Sequence, residues 1–372
     1  MTHRVDIHGK KMMGWLAPLM LALTLMVSSC SPATEGQEGN DAWVTLTIST
    51  GGGAADCGEG MASRASGSAA DKDWQVNDLT IYIFDQTGQV IGSSYASYSI
   101  NSQQDITATV KTRKAQGCTV IALANAGTLS GTYATAQTTS PFAGVSTLSE
   151  FQQKYITFKD MASLESAPCL LMVGYLTGFD TTSSGSSISL QRLASRLDFT
   201  ITVNQDKVTG FPIVVDSYQL CHAPLSAYYA SADMSSTGIT LPSGTSFVEY
   251  AANSTAFNSW TSGSNSQSYT AYVYANPATT ATDATYLLIK AHSQASNTDT
   301  RKIWQSEFKV YLTGITGLAD YQLLPNYHYT IGITVQGSAT EHNGVKTVYK
   351  AYPYMAGGSI ASWTKEDRPT DM

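Results

Sequence analysis

The residues placed to do chemistry are Cys30, four further cysteines, four histidines beyond residue 30 and one isolated arginine. Cys30 closes the run Val27-Ser28-Ser29-Cys30, so small side chains lead up to a thiol, the nucleophile that attachment of a lipid requires. Cys57, Cys118, Cys169 and Cys221 contain no C-x-x-C pair, which argues against a zinc site. Cys118 and Cys169 lie in apolar runs where a buried free thiol is expected, with disulfides as the alternative in an oxidising compartment. His222, His292, His328 and His342 form no H-E-x-x-H spacing, and no G-x-S-x-G elbow is present. His328 alternates between Tyr327 and Tyr329 and reads as a sheet histidine. Carboxylates far apart in sequence that meet in a glycosidase-like cleft are the remaining enzymatic reading. The sequence therefore points to a protein that is not an enzyme, with no metal and no cofactor.

The elements before Cys30 explain its position. Arg4, Lys10 and Lys11 precede an apolar run from Trp15 to Val27, too short for the roughly 20 residues of a membrane span. Residues 1–29 read as a removable signal peptide, and V-S-S-C resembles the bacterial lipobox, in which the cysteine takes a diacylglycerol and, after cleavage, an acyl chain such as palmitate. More than one chain on Cys30 would hold the protein stably to a membrane. Ser31 to Asp41 is polar and acidic, a solvated tether.

Removing residues 1–29 leaves 18 basic and 27 acidic residues, a net charge of −9 with no basic cluster, which excludes nucleic acid as a partner. Charged residues are 13% of the chain against about 25% in ordinary globular proteins. Ser and Thr cover the surface instead.

The strand signals share a period of two. Trp43 to Thr50 alternates Val, Leu and Ile with Thr and Ser. Leu79 to Phe84 runs through Asp85-Gln86-Thr87-Gly88 into Val90-Ile91, a hairpin. Ile106 to Lys111 follows, then Cys118 to Ala124, whose unbroken apolar character predicts a central strand. A short helix is expected over Thr147 to Tyr155, capped by Ser146 or Thr147 with Glu150 close behind. Ile188 to Val203 reads as one long strand. Ile213–Leu220, Tyr269–Tyr274, Tyr286–Ala291, Phe308–Leu312 and Tyr327–Val335 complete the set. Strands without intervening helices predict an all-β fold of two tandem antiparallel β-sandwich domains. The expected organisation is residues 1–29 signal peptide, 30–64 lipidated tether and removable strand, 65–204 N-terminal sandwich, and 205–372 C-terminal sandwich.

Residues 51–73 are too rich in Gly, Ala and Ser to form a core, and an accessible loop is expected there. Arg64, between Ser63 and Ala65, is the only arginine between Cys30 and Arg113. An arginine-specific protease needs such an extended, accessible site.

Taken in order, these features resemble the fimbrillins, or type V pilins. The resemblance is carried by the lipobox at Cys30, the early strand, the loop with Arg64-Ala65, and the strand from Val76 to Asp85. Ala122-Leu123-Ala124-Asn125-Ala126, Leu190-Gln191-Arg192-Leu193-Ala194-Ser195-Arg196-Leu197 and Leu323-Leu324-Pro325-Asn326-Tyr327-His328-Tyr329-Thr330-Ile331 extend it along the chain. The resemblance implies Greek-key, transthyretin-like sandwiches in a precursor anchored to the outer membrane. It further implies cleavage after Arg64, departure of the first strand, and its replacement by a donor strand from another subunit in an extracellular fimbrium that supports adhesion to a host or bacterial surface ligand. Gly344 to Tyr354 is the expected donor; Pro353 limits its pairing and the polar end from Thr364 to Met372 departs from an apolar finish. That departure keeps open a fimbrial tip subunit or an uncut anchor. A surface glycan-binding lipoprotein using Trp260, Trp304 or Trp363 as stacking platforms is the alternative from another class.

Overall fold

The computed structural model describes residues 40–50, 72–102, 104–127, 142–183, 185–207, 209–232, 239–260, 265–312 and 321–338 with side chains, and 345–353 and 367–369 by backbone. The chain divides into Met1–Asn40 and Asp41–Met372, and the elements below belong to the second unit. No helix among the described residues is long and apolar enough to cross a membrane.

Alternation of β-branched and polar residues yields strands almost throughout. In chain order they begin with β1 (Asp41–Ser49), β2 (Val76–Phe84), β3 (Val90–Ile100), β4 (Asp105–Arg113) and β5 (Cys118–Ala124). Helix α1 (Leu148–Gln152), β6 (Tyr155–Thr157), helix α2 (Met161–Glu165) and β7 (Met172–Phe179) follow, then β8 (Ser186–Ser189), β9 (Gln191–Arg192) and β10 (Ala194–Val203). Next are β11 (Ile213–Cys221), β12 (Ala223–Pro224), β13 (Ser226–Tyr228), β14 (Phe247–Val248) and β15 (Phe257–Asn258). The last are β16 (Ser266–Tyr274), β17 (Tyr286–Gln294), β18 (Lys302–Tyr311), β19 (Tyr327–Val335), β20 (Val345–Pro353) and β21 (Asp367–Pro369).

The strands assemble into four main sheets, ordered β4-β1-β8, β3-β2-β5-β7-β9, β16-β10-β19-β20-β21 and β15-β11-β17-β18, with small ribbons β12-β14 and β13-β6. The all-β expectation holds. Two pairings are parallel, β1 with β8 and β10 with β19, where the sequence reading expected antiparallel sheets. Each joins strands from distant parts of the chain, so no hairpin turn dictates their direction.

β5 is central as its apolar run requires, because its two faces serve different cores. Cys118, Val120, Ala122 and Ala124 enter a core shared with β1, β2, β4 and β8, whereas Ile121 and Leu123 enter a larger one. That larger core takes in Phe142, Phe151 of α1 and the facing strands β10, β11, β16, β17, β18 and β19. Helix α1 starts at Thr147, whose side chain accepts from the Glu150 amide while the Glu150 carboxylate returns to the Thr147 amide.

Ile188 to Val203 is not one strand. It breaks into β8, β9 and β10, which belong to three sheets. The breaks fall where backbone groups leave the ladder: the Leu190 amide donates to Ser49 O at 2.8 Å and the Leu193 amide to Leu171 O at 2.9 Å. β10, assigned by sequence to the N-terminal half, pairs with β16 and β19. β7 went unread in the sequence because its glycines blur the alternation. One of them is required: a Cβ on Gly174 would lie 2.5 Å from Ile188 Cγ2 and 2.7 Å from Ser189 O.

Gly174→Ala should therefore push β8 off β7 and destabilise the protein by about 1–3 kcal/mol, measured by chemical denaturation.

Candidate functional site: the seat of the first strand

β1 is the middle strand of its sheet. Along its full length, from Asp41↔Arg113 to Ser49↔Asp105, it pairs antiparallel with β4, and on its other side Leu46 to Ser49 pair parallel with Ser186 to Ser189 of β8. The period of two turns Val44, Leu46 and Ile48 inward, at 1%, 0% and 0% exposure. They meet Ile106, Ala108 and Val110 of β4, Ile188 of β8, and Leu79, Ile81, Ile83 and Val120 from the facing sheet in one core. Each such side chain contributes about 1.5–3 kcal/mol by burial. The far end is pinned by Thr50, whose hydroxyl donates to Gln104 O at 2.9 Å and accepts from the Gln104 amide at 3.0 Å. At the near end Lys111 pairs with Asp41 at 2.9 Å, both half-exposed. Without β1, this core would lose its cover and both neighbouring strands their ladder partners.

The chain next becomes describable at Lys72, and from there to Asp78 it is held down at many points. Lys72 Nζ donates to Leu164 O and Glu165 O at 3.3 and 3.0 Å and lies 4.1 Å from the Tyr272 ring centre. Arg192 Nε donates to Asp73 O at 2.7 Å, its guanidinium stacks 4.5 Å from the Trp74 ring, and Arg196 Nη1 meets Asp73 Oδ2 at 3.1 Å. Asn125, in a left-handed conformation at φ 71°, accepts from the Asn77 amide at 2.8 Å and donates to Gln75 O and Leu170 O at 2.7 and 2.6 Å. Asn326, at φ 59°, accepts from the Arg192 amide at 3.0 Å, and the Ser195 hydroxyl donates to Leu324 O. The three sequence strings around Asn125, Arg192 and Asn326 thus converge on one junction. Their signal in the sequence is polar and basic residues inside otherwise apolar runs.

Asp198 lies in the same network. Burial would raise its pKa, but hydrogen bonds from His328, Thr270 and Arg196 outweigh that and bring it to about 2. His328 Nε2 is 2.6 Å from Asp198 Oδ2, which gives this sheet histidine a positioning task.

Cys30, Arg64 and Ala65 lie outside the described residues, as do Cys57, His342 and Trp363. Cys118, Cys169 and Cys221 are buried free thiols, and burial pushes the Cys169 pKa up to about 12. His292 bridges Asp216 and Gln294, and His222 stacks on Phe247 with ring centres 4.3 Å apart. Among the described residues no His, Cys, Asp and Glu side chains group as a metal site. Trp304 is committed to the fold, its Nε1 donating to Asp206 at 2.6 Å, while Trp260 is 37% exposed.

Residues 44–190 match the family described as "Major fimbrial subunit protein (FimA)". That span begins and ends on the first and last residues of the core that β1 closes, Val44 and Leu190. No curated protein matches the sequence. In fold the chain is similar to a proposed cell adhesion protein from Parabacteroides distasonis, with TM-score 0.59 and 18% identity over 85% of this chain and 99% of that one. It is also similar to a proposed cell adhesion protein from Bacteroides eggerthii, at 0.52 and 18% over 84% and 96%. A fimbrilin from Porphyromonas gingivalis W83 gives 0.53 and 12% over 84% and 99%.

Because the folded pKa of Asp198 is depressed, its contribution is complete above the unfolded value near 4 and is lost as pH falls toward 2. Asp198→Asn should cost about 2 kcal/mol at pH 7. The difference from wild type should shrink through that acid window in denaturation curves taken at each pH.

Proposed function

We propose, from the family match over residues 44–190, that this chain acts as a fimbrial subunit and that β1 is an exchangeable plug whose seat receives a strand from a neighbouring subunit. Fimbrial subunits are structural proteins that assemble with other subunits at the cell surface, not enzymes. The finer reading is that the precursor is acylated on Cys30 and held on the outer membrane. An arginine-specific protease then cuts between Arg64 and Ala65, β1 leaves with the lipid, and the subunit joins an extracellular fimbrium.

The observation that carries this reading is the central seat of β1. Its inward residues close a core, so its removal leaves a groove with two open ladders, and only another extended strand satisfies both. The hold on Lys72 to Asp78 supports the same reading from the other side of the cut. Lys72 and Asp73, which follow Arg64 by fewer than ten positions, are fastened to α2, β9 and β10, so departure of β1 leaves the body attached to its own next segment. The coincidence of the family match with the Val44 to Leu190 core supports two tandem domains, with the first core ending before β10.

The donor in this reading is residues 345–353. They are a strand already, paired antiparallel with β19 from Tyr327↔Pro353 to Val335↔Val345 and with β21 on the other side, and would have to leave both to complete a neighbour.

Arg64→Ala should give a full-length, acylated and unpolymerised protein on the cell surface, read by mass spectrometry of the amino terminus and by the oligomer ladder under mild denaturation. Normal polymerisation of this variant would remove Arg64 as the maturation site. Cys118, buried in the core that β1 covers, offers a second measurement. It should resist alkylation in the precursor, react when cleaved protein lacks a donor, and be protected again in polymer.

A further inference from the structure

At one end of the sheet that holds β1, three loops meet. Arg113, the last residue of β4, pairs with Asp85 of the β2–β3 turn at 2.5 Å. Gln116 donates to Asp180 at 3.1 Å, and the Ala115 amide donates to the Thr181 hydroxyl at 2.8 Å. β1 begins at this same pole, because Asp41 is registered with Arg113. Here stands Trp43, which at 68% exposure is the most exposed large apolar side chain among the described residues. It points away from the core, since Val44 points in. Its cross-strand neighbour is Lys111, also outward and exposed, and on its other side β8 pairs with β1 only from Leu46 onward.

An indole in water has a cost that the fold does nothing to remove, and the position of Trp43 in the chain suggests what would. Ten residues separate Cys30 from Asp41. As a solvated coil they span on the order of 17 Å, and fully extended about 35 Å. An anchor on Cys30 therefore keeps this pole within a few tens of ångströms of the bilayer. Trp is the side chain that partitions to the headgroup region, with its ring in the apolar boundary and its N–H toward water. The remaining charges at the pole are paired, Lys111 with Asp41 and Arg113 with Asp85, so the indole and not a basic field makes the contact.

We propose that the Trp43 pole is a membrane-contact surface of the precursor, which rests the anchored chain on the headgroup layer with β1 leading away from it. The inference rests on acylation of Cys30 and on β1 being the strand that leaves. It gives Trp43 a task confined to the precursor, because the residue departs with the strand. It also orients the chain: β1 carries the backbone roughly 30 Å from the membrane-side pole to Thr50.

The test uses full-length acylated protein in vesicles of phosphatidylcholine and phosphatidylglycerol with lipids brominated near the headgroup. Acylation is first verified by intact mass; a chain lacking the lipid overturns the anchoring reading and this inference with it. With acylated protein, the Trp43 component, obtained as the difference between wild type and Trp43→Phe, should be blue-shifted and quenched at least ~twofold more by brominated than by ordinary vesicles. Acylated Cys30→Ala is impossible, so that variant serves as the untethered control and should show no such quenching. Equal quenching of wild type and Trp43→Phe overturns the contact while leaving anchoring intact. Trp43 is outside the core, so the substitution leaves the fold in place.

Discussion

A strand in the middle of a sheet has two ladders to satisfy and a face to bury, and β1 does all three for residues that are otherwise far apart in the chain. β4 is its antiparallel neighbour, β8 its parallel one, and β2 and β5 lie across the core from it. The sheet β4-β1-β8 cannot be closed by a hairpin, since β1 is separated from β4 by some 55 positions and from β8 by some 140. The strand is held by three fully buried apolar side chains, the Thr50 to Gln104 clasp, the Asp41 to Lys111 ion pair and two ladders. The fit is set by alternation, with apolar side chains turned to the core and polar ones to solvent.

The second constraint is the polar junction over Lys72 to Asp78. Asn125, the pair Arg192 and Arg196, and Asn326 come from three separate places: the first three fasten one short segment and Asn326 holds Arg192. Two asparagines take left-handed backbone conformations to do so, which few residues tolerate and asparagine does. Leaving such buried groups without their partners would be costly, so the network keeps this segment in one place.

Much of the fold was legible in the residues. Alternation located β1, β2, β4, β11 and β19 within a few positions, the unbroken apolar run of β5 announced a strand buried on both faces, and Thr147 with Glu150 announced a capped turn of helix. What failed did so for physical reasons. Ile188 to Val203 keeps its apolar period while changing sheets twice, because periodicity records which side of a strand is buried and not which sheet buries it. β7 escaped because glycines that let β8 approach erase the pattern that would reveal it.

The sequence by itself determined the class of fold and the strand that alternates from Trp43 to Thr50, since period, length and local composition are properties of contiguous residues. Only the tertiary structure decided that this strand is central, that one of its partners runs parallel, and that Asn125, Arg192, Arg196 and Asn326 serve one junction. Those are pairings across tens to hundreds of positions. They are fixed by which buried faces and hydrogen-bonding groups are left over once every local element has formed, and no local pattern contains that information.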